Sequence, residues 1–140
     1  MSAWTSRFLL AGFVLAAAVC AAHAQGNVVV REVKTTPGAE TNVGMYADIR
    51  DDCTSGPLPG IRLVTPPAHG VVSVRRGTVK ATNLKQCLGA DVAVFVAFYR
   101  ATKDFNGTDQ FDLQISFPNG RKVFQHFHVV VSSNGARQGI

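Results

Sequence analysis

Phe111, Leu113, Ile115 and Phe117 alternate with Gln110, Asp112, Gln114 and Ser116. A strand turns successive side chains to opposite faces, so this period of two predicts a half-buried antiparallel strand over 110–117. Pro118-Asn119-Gly120 follows and supplies a residue tolerant of positive φ where a hairpin needs one. A last strand is expected from 121 to about 132. Between 91 and 99 the pattern changes. Val, Ala, Phe and Tyr occupy both parities there, which predicts a central strand covered on two sides.

Upstream the same rhythm continues. Short β-branched and aromatic runs at 27–33, 42–49, 61–64, 71–75 and 78–81 are separated by Gly, Pro, Asn and Asp, and helical periodicity is nearly absent. Thr36-Pro37-Gly38, Asp51-Asp52-Cys53, Pro66-Pro67 and Arg76-Gly77 read as breaks. Seven or eight such strands predict an all-β fold, an immunoglobulin-like antiparallel β-sandwich, with a small barrel as the competing topology. No internal repeat interrupts it. The expected organisation is one domain over 25–132 and a polar tail over 133–140.

The first residues are of another kind. Over 1–24 a single positive charge at Arg7 precedes an apolar run from Phe8 to about Ala22, and Ala22-His23-Ala24 stands ahead of Gln25. That order predicts a secretory signal peptide cleaved after Ala24. The run is about 15 residues, short of the ~20 that span a bilayer, and Val19 before Cys20 does not fit a lipoprotein site. The expected product is therefore periplasmic or secreted, with no transmembrane segment after cleavage. It keeps Cys53 and Cys87, which an oxidising compartment would join as a structural disulfide. A redox-active pair would have the spacing Cys-x-x-Cys.

Charge adds little. The chain carries a formal +5, and losing Arg7 lowers it by one. The densest basic group is Arg75, Arg76, Lys80 and Lys85, with no continuous stripe and no interleaved aromatics. No nucleic-acid partner is expected; weak attraction to an anionic envelope is compatible with the charge.

His126-Phe127-His128 is the sole constellation with ligand spacing. Positions i and i+2 share a strand face, so both imidazoles could take copper or zinc if His69 or an Asp completed the set. Phe124 and Val130 share that face, and the preferred reading is two half-exposed cross-strand histidines. Asp51-Asp52 read as a solvated turn. Ser55, Ser73 and Ser116 have no local base and acid around them, and phosphate-cradling Gly loops are absent. No catalytic residue is assigned, and the chain is expected not to be an enzyme.

One set of residues carries a resemblance. Pro67-Ala68-His69-Gly70-Val71-Val72 comes first, then Tyr99, then Phe105, Gly107, Thr108, Asp109 and Phe111, and finally Asn119-Gly120 with Val129-Val130-Val131. Together they resemble the signature of bacterial immunoglobulin-like and cadherin-like secreted modules, over roughly 61–132. The resemblance implies a sandwich in which Pro67, Gly70, Tyr99, Phe105, Gly107, Asp109 and Phe111 are structural. It also implies a role in adhesion, with calcium at module junctions. Arg100-Ala101 stand where the pattern has Thr-Pro. Cys53, Cys87 and the 80–89 stretch fall outside it, and the relatives occur in tandem whereas this module is single.

In physical terms, the rings of Tyr99, Phe105 and Phe111 are expected in the core, and Asp109 is expected to accept backbone N–H groups. Asp104 and Asp109 are few for a calcium ion that takes six to eight oxygens, so no cofactor is expected. The functional expectation is an exported, non-enzymatic interaction or envelope-associated module. Loops or an exposed strand edge would meet a protein or envelope component. The alternatives are a periplasmic metal-binding protein using His126 and His128, and an inhibitor of a secreted enzyme presenting loop 57–60 or 80–89.

Overall fold

The alternating segments pair into two sheets. The structure is a computed structural model that describes residues 26–82 and 84–134. The predicted signal peptide over 1–24 and most of the 133–140 tail lie outside the described residues. Seven strands follow in order: β1 (Asn27–Thr35), β2 (Glu40–Tyr46), β3 (Gly60–Thr65), β4 (Gly70–Lys80), β5 (Asp91–Ala101), β6 (Gly107–Ser116) and β7 (Lys122–Val131). A single 3-10 turn, Lys85–Cys87, precedes β5. One sheet has the order β1-β7-β6-β3 and the other β2-β5-β4. Lettered along the chain, this is B-E-D facing G-F-C, the immunoglobulin-like sandwich, with the first strand beside the last.

That first strand departs from the all-antiparallel expectation. β1 runs parallel to β7, from Asn27 beside Val123 to Thr35 beside Val131. The whole domain separates the two strands, so no hairpin constrains their relative direction. β1 then crosses to the other sheet as β2, and the two edge strands lie at the same side of the sandwich.

The core follows the period of two. Phe111, Leu113 and Ile115 from β6 meet Phe127, Val129 and Val131 from β7, with Ala97, Tyr99 and Ala101 from β5 opposite. The rings of Tyr99, Phe111 and Phe127 form a continuous stack, with centroids 5.7 and 4.5 Å apart. Phe105 differs from expectation. It packs against the core from its margin, and Phe127 is the third central ring.

β5 is buried on both faces, for a local reason. Val92 and Val94 have the opposite parity to Ala97 and Tyr99, and they sit in a second apolar cluster with Ala81 and Cys87. Ala47, Ile49, Cys53, Val79, Ala90 and Val96 pack against it. Cys53 and Cys87 are disulfide-bonded, so the bridge ties two loops over the outer face of the first half of β5.

Two expected breaks move. Arg76-Gly77 does not turn, because β4 stays in register with β5 from Gly70 to Lys80 and the long partner holds it extended. The runs 71–75 and 78–81 are one strand. β2 ends at Tyr46 and not at Ile49, which makes only an isolated bridge to Ser55. A bulge between Asn42 and Gly44 inserts Val43 as an extra inward residue. Beyond it the parity reverses, so Tyr46 is buried and Met45 is exposed.

Candidate functional site

Asp109 is the one buried charged side chain among the described residues, and its setting explains most of the motif residues. Pro67 has no N–H to offer, so the amides of Ala68 and His69 are the first that can donate. They reach Asp109 Oδ1 and Oδ2, each at 3.0 Å. The Tyr99 hydroxyl donates to Oδ2 at 2.8 Å, and the Gln110 amide to Oδ1 at 2.9 Å. Burial pushes the Asp109 carboxyl up, but bonds from Tyr99, His69, Gln110 and Ala68 outweigh it and hold the group below the ordinary carboxylate value. Tyr99 moves the other way, raised first by burial and then by its bond to Asp109.

Around this joint the remaining motif residues close up. The His69 ring stacks on Phe105, with centroids 4.1 Å apart. The Thr102 amide donates to the His69 carbonyl at 2.9 Å. A Cβ on Gly70 would stand 2.6 Å from the Tyr99 ring and 2.7 Å from the Arg100 carbonyl, so this approach requires glycine. Gly107 has φ +145°, a conformation that side chains rarely adopt. Both Asp109 oxygens are engaged by donors, which leaves a structural joint and no open cation site.

The outer face of the four-stranded sheet is the second place where polar chemistry collects. Phe124, His126, His128 and Val130 project there from β7, with Val28, Val30, Glu32 and Lys34 beside them on β1. On the other flank stand Gln114, Asp112, Gln110 and Thr108 of β6. His126 Nδ1 lies 2.6 Å from Asp112 Oδ1. Burial raises the Asp112 carboxyl, and bonds from His126 and Thr65 overcome this and lower it. Among the described residues, no hydroxyl or thiol hydrogen-bonds to His126, and no three His, Cys, Asp or Glu side chains gather to hold a metal. His126 and His128 thus share a face but supply two ligands, where protein zinc sites use three or four.

The remaining candidates are placed more plainly. Arg75 and Arg100 both bridge to Glu40, at 2.6 and 3.1 Å, and Lys80 pairs with Asp91. The densest basic group is therefore partly neutralised. Asp52 accepts the Thr54 amide and hydroxyl, closing the turn that carries Cys53 of the disulfide. Pro59 is fully buried and anchors loop 57–60 to the body.

Four strand edges border the two sheets, and they are not alike. β2 and β3 are each broken by a bulge, and β4 carries Arg75, Arg76 and Lys80. Bulges and edge charges both discourage pairing with another chain. β1 keeps regular register along all of its length. Its first half, Asn27-Val28-Val29-Val30, has no charge, proline or bulge, and Val28 and Val30 are 66% and 69% exposed. Sequence reading located the histidines but not this edge. A Val-rich run reads as a core strand until the topology shows that it is last in its sheet.

Among the described residues no helix is long and apolar enough to cross a membrane. Compared with known proteins, the chain matches no family model and no curated protein.

Proposed function

We propose that this protein is an exported immunoglobulin-like interaction module that binds a protein partner by adding a strand to the open edge of β1. The observation that carries this reading is the unguarded edge at Asn27–Val30, uncharged and regular, with Val28 and Val30 exposed beside it. In such a complex, main-chain hydrogen bonds supply affinity and alternate side chains supply selectivity. The Asp109 joint gives support of another kind. Its buried carboxylate is engaged in holding a turn, and among the described residues no hydroxyl or thiol side chain hydrogen-bonds to His126. The likeness of these joint residues to bacterial secreted modules fits the same reading.

The test is native purification from the extracytoplasmic fraction, with mass spectrometry of the product. The reading expects a chain beginning at Gln25, eluting with a companion protein in a discrete complex. Replacing Val28 and Val30 by Lys should return it to the monomer mass while leaving the melting temperature within a few degrees, since both side chains are exposed. A monomeric wild-type protein, or a complex indifferent to the two lysines, would refute it.

A further inference from the structure

A cleft opens where β1 and β2 border the sandwich, on the seam between the two sheets. Its volume is about 270 Å³, just under the ~300 Å³ at which pockets for drug-sized ligands begin. Arg31, Tyr46, Phe117, Arg121 and Gln125 are among the residues lining it. The Tyr46 hydroxyl donates to Gln125 Oε1 at 2.5 Å, which orients the carboxamide and leaves its NH₂ group to donate. The Arg121 guanidinium lies over the Phe117 ring, 4.3 Å from its centroid. Its flat face is thereby covered, while the N–H edge stays available. Among the described residues neither Arg31 nor Arg121 is in an ion pair, and no carboxylate lines the cleft. The uncommitted side-chain capacity is thus dominated by donors, two of them cationic, beside apolar surface from Phe117, Met45 and Val123.

We infer that this cleft binds a small organic carboxylate bearing an apolar group, held between Arg31 and Arg121 with the Gln125 amide as a third donor. Guanidinium groups match the geometry of a carboxylate, and their bonds to it are charge-assisted. The Tyr46 hydroxyl, pushed up to about 12 chiefly by burial and partly offset by Arg31, remains neutral and does not compete as an anion. The volume suits a single-ring or short-chain acid and is too small for a nucleotide. Such an acid could be free in solution or be the C-terminal residue of a peptide, and the two share this chemistry.

The experiment is amide-shift NMR on the full mature chain, titrated separately with benzoate, N-acetylphenylalanine and N-acetylphenylalanine amide. Saturable shifts confined to Gly44, Tyr46, Val123 and Gln125 are expected with both carboxylates and not with the amide. Tighter binding of N-acetylphenylalanine than of benzoate would assign the cleft to peptide C-termini, and the reverse order to free acids. Arg31→Gln and Arg121→Gln should each weaken binding about tenfold. Gln125→Glu keeps an acceptor for Tyr46 but adds a negative charge, and it should abolish binding in a protein whose melting temperature shows it folded. Absence of saturable shifts at these residues would overturn the inference. So would equal binding of the amide, or undiminished binding in the folded Gln125→Glu variant.

Discussion

Asp109 shows how one side chain organises two distant segments. Its carboxylate accepts two amides from the turn after Pro67, the Tyr99 hydroxyl and the Gln110 amide. Removing the charge leaves buried donors poorly satisfied, which costs more than the net worth of the bonds themselves. Asp109→Asn is expected to destabilise the fold by about 2–3 kcal/mol in urea unfolding. Tyr99→Phe should cost about 1 kcal/mol. The two together should cost less than their sum, because they share one contact. The pH dependence has a definite sign. The Asp109 carboxyl is held below its unfolded value of ~3.9, so between the two values the unfolded chain binds more protons and stability rises with pH. Its contribution is complete above the unfolded value and is lost as pH falls through the lowered folded one. The urea midpoint should drop on acidification from pH 5 to pH 3, and by less in Asp109→Asn. The role of Asp109 as an acceptor was legible in the sequence, since a turn leaves amides open. Its partners at Ala68 and His69 were not, because local pattern says nothing about which distant turn docks on it.

At the level of elements, hairpin geometry was the more readable part. The three-residue turn Pro118-Asn119-Gly120 pairs Phe117 with Arg121 and so sets the β6–β7 register, which places Asp112 opposite His126. The pair could have been deduced from the turn alone. The bulge in β2 could not. A plain alternation of Val43, Met45, Ala47 and Ile49 suggests one buried face, yet the extra residue turns Met45 outward and Tyr46 inward. Two-sided burial of β5 was visible as unbroken hydrophobicity, while its cause lies in the loops joined by Cys53 and Cys87. Those cysteines are 34 residues apart, and in the chain-entropy model closing such a loop is worth about 4 kcal/mol. Cys53→Ser/Cys87→Ser should lose about that much stability. Hydrogen exchange adds a regional expectation. Amides of Val92–Val96 should lose more protection than those of Phe111–Ile115, since only the former lie beneath the tied loops. Uniform loss across both strands would show that the bridge stabilises the domain globally and does not clamp β5.

For the whole molecule, the arrangement of edges matters more than any single residue. The sandwich has two edges broken by bulges, one charged edge, and at β1 one regular edge whose first half, Asn27–Val30, carries no charge. Composition and rhythm announced a sandwich, and topology decided which strand would stand last in its sheet. The parallel pairing of β1 with β7 was invisible beforehand, because it joins the first and last strands of the domain without a turn to mark it. That pairing turns an ordinary Val-rich run into the proposed binding surface. It can be probed where the protein is made. A photo-crosslinking residue placed at Val28 is compared with one at Val71, an equally exposed valine on the charged edge strand β4. The account predicts a discrete crosslinked adduct of constant mass from position 28 and none from position 71. No adduct at 28, or equal adducts at both positions, would contradict the claim that β1 is the edge through which this domain meets its partner.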